Sequence, residues 1–300
     1  MKPVTRSFYA GIVQQTIESI ARRLDEALDF ERLATDANLS PFHFHRIFTG
    51  MVGETPTEFV RRLRLERAAW RLAGTTQAVT EVAFDAGFET HEAFTRAFRT
   101  HYDTSPSGFR ERAHKRIELA ARCGVHFVSR GCIPAFIARD SGGRDMHVTI
   151  KNMPAMRLGT VRHIGPYNQI PAAFAHLGQR LGPAAGELMR RGSAMMAIYY
   201  DDPEAVSLDQ LRSDAAVVIP DDMAMPDGLV EQHLAAGTYA CTLHVGPYEH
   251  IGDTWARFMG EWLPANGRML GAGPSFEVYL NNPSNAAPAD LRTEIYIPLA

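Results

Sequence analysis

Cysteine is scarce in this chain: three in 300 residues, at positions 123, 132 and 241. An odd, scattered set excludes a disulfide framework and fits free thiols in a reducing cytoplasm. No run of about eighteen apolar residues occurs, so no segment is expected to span a membrane. The N-terminus lacks the charged-then-apolar pattern of a secretory signal. Nor is there a phosphate-cradling glycine loop or a metal-ligand cluster, so no cofactor or metal is expected. His43 and His45 are two apart and would point to different sides of a helix. Cys123 and His126, with Cys132 beyond, lack a fourth ligand. An excess of positive charge is also missing: residues 1–122 carry a net +2 and residues 123–300 a net −5. Nucleic-acid binding would have to rest on local basic faces.

What is present begins with Thr80–Phe109, TEVAFDAGFETHEAFTRAFRTHYDTSPSGF. A short helix from Thr80 to Asp85, a turn at Ala86-Gly87 and a second helix from Thr90 are expected. Gly87 suits the left-handed residue that ends a helix, and Thr90 suits an N-cap. Phe94, Ala97 and Phe98 form the buried stripe. That leaves His91, Glu92, Thr95, Arg96 and Arg99 outward, a helix-turn-helix pattern.

The pattern occurs twice. Phe44, Arg46, Phe48, Pro56 and Phe59 recur fifty residues later as Phe94, Arg96, Phe98, Pro106 and Phe109. Ala34, Asp36, Ala37 and Leu39 recur forty-nine residues later as Ala83, Asp85, Ala86 and Phe88. Two recognition helices on one chain could read major-groove faces about 34 Å apart. In the first, Ser40 caps and Pro41 opens the helix. Phe44, Ile47 and Phe48 are expected inside, and Phe42, His43, His45, Arg46 and Thr49 outside. Phe42 has two readings, contact with thymine methyls or packing on the neighbouring helix. Arg46 and Arg96 are the expected base readers.

Residues from about Gln14 to Arg112 resemble the DNA-binding domain of AraC/XylS-type transcription regulators. The carriers are AxxANLSPFHFHRIF, GETP, RLRLERA, EVAxxAGF, FTRAF and SPxxFR. Asp103 stands where glycine is commonest in that family; aspartate tolerates the left-handed conformation. The connecting helix, Thr57–Leu72, carries Arg61, Arg62, Arg64, Arg67 and Arg71. These form either a DNA-facing cluster or a solvated face partly paired with Glu58 and Glu66; Arg61 is counted among the DNA contacts. Met1–Ala10 reads as a loose leader, Ile12–Leu28 as an amphipathic helix and the basic stretch to Arg122 as a helical tail.

Beyond Cys123, glycine, proline and serine enrichment and lost periodicity mark a linker. After Met146 the text becomes strand-like. VRHIGPY (Val161–Tyr167) recurs as TLHVGPY (Thr242–Tyr248) eighty-one residues later, each copy followed by a helix. Strands are expected at His147–Asn152, Arg157–His163, Met195–Tyr200, Ala215–Ile219, Leu229–Ala235, Tyr239–Val245, Ser275–Leu280 and Arg292–Pro298. The expected fold is multidomain. An N-terminal all-α double helix-turn-helix domain (1–116) leads through a linker (117–145) to a C-terminal α+β domain (146–300). That last domain has two pseudosymmetric repeats of antiparallel sheet and helix, and their junction is a natural ligand site.

In Ser275–Leu280 alternation puts Glu277 and Tyr279 on one face; in Leu291–Leu299 it puts Glu294 and Tyr296 on one face. Each set is expected opposite its strand's apolar, helix-facing side. If that face lines a cavity, a ligand cation would match the carboxylates, with the tyrosine rings adding cation–π attraction. The open alternative is that Glu277 pairs with an arginine such as Arg292 or is solvated. Residues 146–300 resemble the GyrI-like small-molecule-binding domain, on the two HxGPY segments, IYYDDP, LRSDA, EWLP, FEVYL and EIYIPL. The resemblance implies a ligand glutamate at Glu277, with Glu294 and Tyr296 completing the pocket. Tyr279, Tyr199 and Trp255 are further wall candidates.

The expected function is a ligand-responsive transcription regulator, of the multidrug-sensing kind. Its expected partners are double-stranded DNA, a small amphipathic effector read as cationic, and RNA polymerase as the machinery such a regulator would meet. DNA contacts are expected from Phe42, His43, His45, Arg46, Arg61, His91, Glu92, Thr95 and Arg96. Two other classes stay open. One is a hydrolase with Glu277 as general base for water; the other is a C-terminal domain that only dimerises or binds a protein.

Overall fold

The structure, a computed structural model, describes residues 2–112, 116–129, 135–138, 146–201 and 206–300. Cys132, much of the expected 117–145 linker and the last residues of the IYYDDP segment lie outside the described residues.

Among the described residues, seven helices form the N-terminal half: α1 Lys2–Arg22, α2 Phe30–Asp36, α3 Pro41–Val52, α4 Pro56–Gly74, α5 Val79–Asp85, α6 His91–Tyr102 and α7 Pro106–Glu111. The two helix-turn-helix units are α2–α3 and α5–α6. Their turns use equivalent left-handed residues, Asn38 at φ 54° and Gly87 at φ 78°. Ser40 and Thr90 cap α3 and α6 by accepting from His43 N and Ala93 N. Asp103 ends α6 in the left-handed region, at φ 53°. Proline at the first turn and a capping box of Thr55 and Glu58 open α4.

Two expectations fail here. There is no loose leader through Ala10, because α1 already runs from Lys2 and buries Tyr9, whose hydroxyl accepts from Leu270 N at 3.0 Å. Residues 116–122 are not helical. They belong to a strap that runs along α4 and is tied to the buried Glu66 carboxylate. Glu66 accepts from Leu119 N (2.9 Å) and Phe127 N (2.8 Å), pairs with Arg62 and faces His126. A backbone with no ladder of its own must find partners elsewhere when buried, and one carboxylate supplies them.

The C-terminal half is one antiparallel sheet of eight strands flanked by helices. The strands are β1 Val148–Met153, β2 Met156–Ile164, β3 Met195–Tyr199, β4 Arg212–Val218, β5 Val230–Leu234, β6 Gly237–Val245, β7 Phe276–Tyr279 and β8 Arg292–Pro298. The helices are α8 Pro171–Leu181, α9 Ala184–Arg190 and α10 Ile251–Arg257; α10 runs on through a π-helical turn, Phe258–Trp262. The spatial order β1-β6-β8-β7-β3-β4-β2-β5 reads the same from either end under the internal repeat. β7 and β3 meet at the pseudo-twofold, and β1 and β5 are exchanged so that each pairs with the other repeat. Both GPY segments are turns: Gly165 and Gly246 have φ 135° and 131°, and His163 and His244 each lie against the following proline carbonyl.

The core shows how the halves meet. The second helix-turn-helix unit has a core of its own around Phe94, Phe98 and Phe109. The first does not: Phe42, Phe44, Ile47 and Met51 share one cluster with Trp255, Phe258, Met259 and Ile295. α3 crosses the π turn so closely that a Cβ on Gly50 would lie 2.5 Å from Gly260 Cα. Only glycine at both positions permits that approach.

Candidate functional site

Glu277 is the centre of the site. It is 2% exposed and takes three hydrogen bonds: from Trp255 Nε1 at 2.7 Å, from Tyr279 OH at 2.8 Å and from Tyr199 OH at 3.0 Å. Arg292 supplies none of these, and the carboxylate is not solvated. Burial pushes its pKa above the ordinary carboxyl value, against the opposing pull of Trp255, Tyr279, Tyr199 and the nearby Arg46 guanidinium. The Tyr199 and Tyr279 phenols are pushed far up, first by burial and then by Glu277. A desolvated carboxylate among three donors and aromatic faces can receive a cation.

Aromatic rings surround it. Tyr167 packs on Tyr199 at 4.8 Å between centroids, and Tyr248 and Phe174 pack on Tyr279 at 5.7 and 5.4 Å. Tyr167 and Tyr248 end the two GPY repeats, so the pseudo-twofold places one on each side. Of the expected pocket residues, Glu277, Tyr279, Tyr199 and Trp255 come together. Glu294 and Tyr296 do not. The register pairs Glu277 with Ile295 and Phe276 with Tyr296, so Glu277 shares its face with Ile295 and the helices, not the opposite face that alternation suggests. Glu294 and Tyr296 lie on the other face, held by Lys151 Nζ at 3.0 and 2.8 Å. Burial raises the Glu294 pKa, but hydrogen bonds from Tyr296 and Lys151 outweigh it and leave the group below the ordinary value. Alternation within each strand cannot decide which faces coincide; the cross-strand register does. Asp214 is the repeat equivalent of Glu294 and is likewise held by Arg162, Tyr200 and Gln232.

The expected DNA-facing residues divide. On α6, Glu92, Arg96 and Arg99 are exposed, with His91 and Thr95 half-buried at the rim. Arg61 on α4 is exposed. On α3 the outward placement is overturned: Phe42, His43 and His45 are buried and Arg46 is half-buried. The sheet domain covers Phe42, His43 and Arg46. Phe42 stacks on Tyr199 (centroids 6.3 Å, planes 8° apart) and meets the edge of Trp255 at 5.3 Å. His43 Nε2 lies 2.9 Å from Ser275 Oγ, and burial lowers the imidazole pKa to about 4. Arg46 lies over the Phe42 ring and donates to Gly252 O at 3.4 Å. A cleft of about 570 Å³ opens beside this contact, lined by Ser40, Phe42, His43, Tyr199 and Ser275 among others. Helical periodicity marks α3 as having a second face, and nothing in it says whether DNA or protein takes that face.

The remaining arginines of α4 are structural. Arg62 bridges Glu54, Glu66 and Val125 O; Arg64 caps the α1 end at Leu24 O and Glu26 O; Arg67 joins Asp25 to Asp85 O; and Arg71 pairs with Asp85. Among the described residues no helix is long and apolar enough to cross a membrane.

Residues 146–300 match the model of the GyrI-like small molecule binding domain, and residues 33–112 match that of a helix-turn-helix domain. The chain is similar to a DNA gyrase inhibitor of Erwinia billingiae, 34% identical over 113 residues, which are 35% of this chain and 68% of that protein. It is 32% identical over 101 residues to the regulatory protein SoxS of Salmonella typhimurium, covering 34% of this chain and 94% of SoxS. With the uncharacterized HTH-type transcriptional regulator YbfP of Bacillus subtilis it shares 37% identity over 103 residues, 34% of this chain; it spans only 35% of that relative's length.

Proposed function

We infer the function of this chain from the family to which it belongs, the GyrI-like small-molecule-binding proteins, with an AraC-type helix-turn-helix domain ahead of that domain. The matched families point to a DNA-binding regulator with a ligand-binding domain rather than to an enzyme. Our proposal is that the effector is a lipophilic organic cation received by Glu277, between the Tyr199, Tyr279 and Trp255 side chains. The observation that carries this is a carboxylate 2% exposed whose hydrogen bonds are all from neutral donors. A full counter-charge is the natural complement of such a group. DNA contact is proposed for Arg96, Glu92, His91 and Thr95 of α6, with Arg61 on the phosphate backbone. Arg46 is proposed as the equivalent reader on α3 once that helix is exposed.

The test is calorimetric titration of the full chain with tetraphenylphosphonium and with a neutral triarylphosphine oxide. Glu277→Gln keeps the size and removes the charge, and should cost the cation about 2–5 kcal/mol, at least ~30-fold in affinity. The neutral analogue should be indifferent to the change. Equal cation affinity in both proteins would eliminate the charge-pairing reading.

A further inference from the structure

α3 and α6 are copies under the fifty-residue repeat, and they differ where α3 meets the sheet domain. Phe42 stands where α6 has the exposed Glu92, and Gly50 where α6 has the exposed Thr100. A glycine within a helix costs up to about 1 kcal/mol relative to alanine, and an apolar ring at an open recognition surface wastes burial. Both departures make sense for a helix that docks on protein: Gly50 allows the backbone crossing at Gly260, and Phe42 fills the space beside Tyr199 and Trp255.

We propose that α3 is a built-in occupant of the effector site: Phe42 and Arg46 close it, so that ligand entry at Glu277 and release of α3 toward DNA are one event. In the closed chain the first recognition helix is covered by the sheet domain, and α6 alone presents an exposed reading face. Phe42 rests on two of the three side chains that hold Glu277, so nothing the size of an aryl cation reaches the carboxylate while it stays there. Arg46 lies over the Phe42 ring, 5.5 Å from its centroid, and so brings an internal positive charge to the same aromatic cluster. A lipophilic cation replaces both functions, ring and charge. The freed α3 then adds a second major-groove contact to that of α6. This rests on the reading of Glu277 as the cation site.

The test is hydroxyl-radical footprinting of the full chain, read by mass spectrometry on the peptide holding Phe42, His43 and His45. Saturating tetraphenylphosphonium should raise oxidation there at least ~10-fold, as expected for moving a mostly closed population to mostly open. Gly260→Ala, whose added methyl overlaps the Gly50 backbone, should produce the same rise without ligand. If that variant fails to fold by circular dichroism, Gly50→Ala probes the crossing from the other side. Calorimetric binding of the cation with no change in the footprint would overturn the coupling and leave the ligand site standing. Binding to Gly260→Ala but not to wild type supports the closed gate. Binding to neither protein removes the cation reading, and this proposal with it.

Discussion

Phe276 and Tyr296 stack across β7 and β8, with ring centroids 4.8 Å apart and planes within 12° of parallel. That pair sets the register that sends Glu277 to the helix side of the sheet and Glu294 to the other. Glu294→Gln should therefore leave tetraphenylphosphonium affinity within about twofold, the scatter of a remote polar change. Titration of this variant beside Glu277→Gln checks it; a comparable loss in both would mean that the two carboxylates share one site.

Arg96 is exposed on α6 while its repeat partner Arg46 is engaged with Gly252 O and Phe42. Arg96→Ala should lose about 1–3 kcal/mol of DNA affinity with or without an effector. Arg46→Ala should lose DNA affinity only when the cation is present. Fluorescence anisotropy on a DNA selected from a random pool by the wild-type chain would separate the two.

Affinity for the cation should depend on pH through Glu277. Burial raises the carboxyl pKa above its ordinary value, and the cation needs the charged form. Binding should therefore be full above the raised pKa and weaken as pH falls through it, at a higher pH than an ordinary carboxyl would give. The stability sign is opposite. The folded chain holds this proton more tightly than the unfolded chain, so the group favours folding most at low pH and less as pH rises through the folded pKa. Calorimetry in steps from neutral pH down to the ordinary carboxyl range should show the slope in wild type and none in Glu277→Gln.

Glu66→Ala should destabilise the helical half by roughly 2–6 kcal/mol, because it leaves two strap amides without an acceptor, while Arg62 keeps Glu54 and Val125 O. The variant should unfold at lower urea and be cut by protease near Leu119–Phe127. An unchanged midpoint would show that the strap is held by its apolar contacts alone.

Much of this molecule is legible in its residues. The positions of all eight strands follow from alternation, and the two helix-turn-helix units follow from Phe94, Phe98 and their copies. Four members of the candidate site, Glu277, Tyr279, Tyr199 and Trp255, are reachable from the sequence. Tyr167 and Tyr248 were within reach too, since the GPY repeat marks them as symmetric about the junction. The rest depends on pairings that no local pattern encodes. Alternation alone sets Glu277 and Tyr279 on the same side as Glu294 and Tyr296, away from the helices, because strand register is a relation between two segments. Phe42 and Arg46 are misplaced because a recognition helix and a docking helix share the same periodicity. Their difference shows only at Phe42 and Gly50, once the repeat is read position by position.

The exchange of β1 and β5 bears on how the chain comes to be folded. Val148 pairs with Thr242, and β2 finds β5 across a similarly long excursion. Such distant pairings are slow, since loop closure must precede any gain from contact. Neither repeat can complete its own sheet, and each finishes the other. Chain scission between 220 and 229 would thus yield two fragments that are unfinished apart and complementary together. The candidate site lies on the seam between those fragments, with Tyr199 from one and Glu277 and Trp255 from the other, so neither fragment holds it alone.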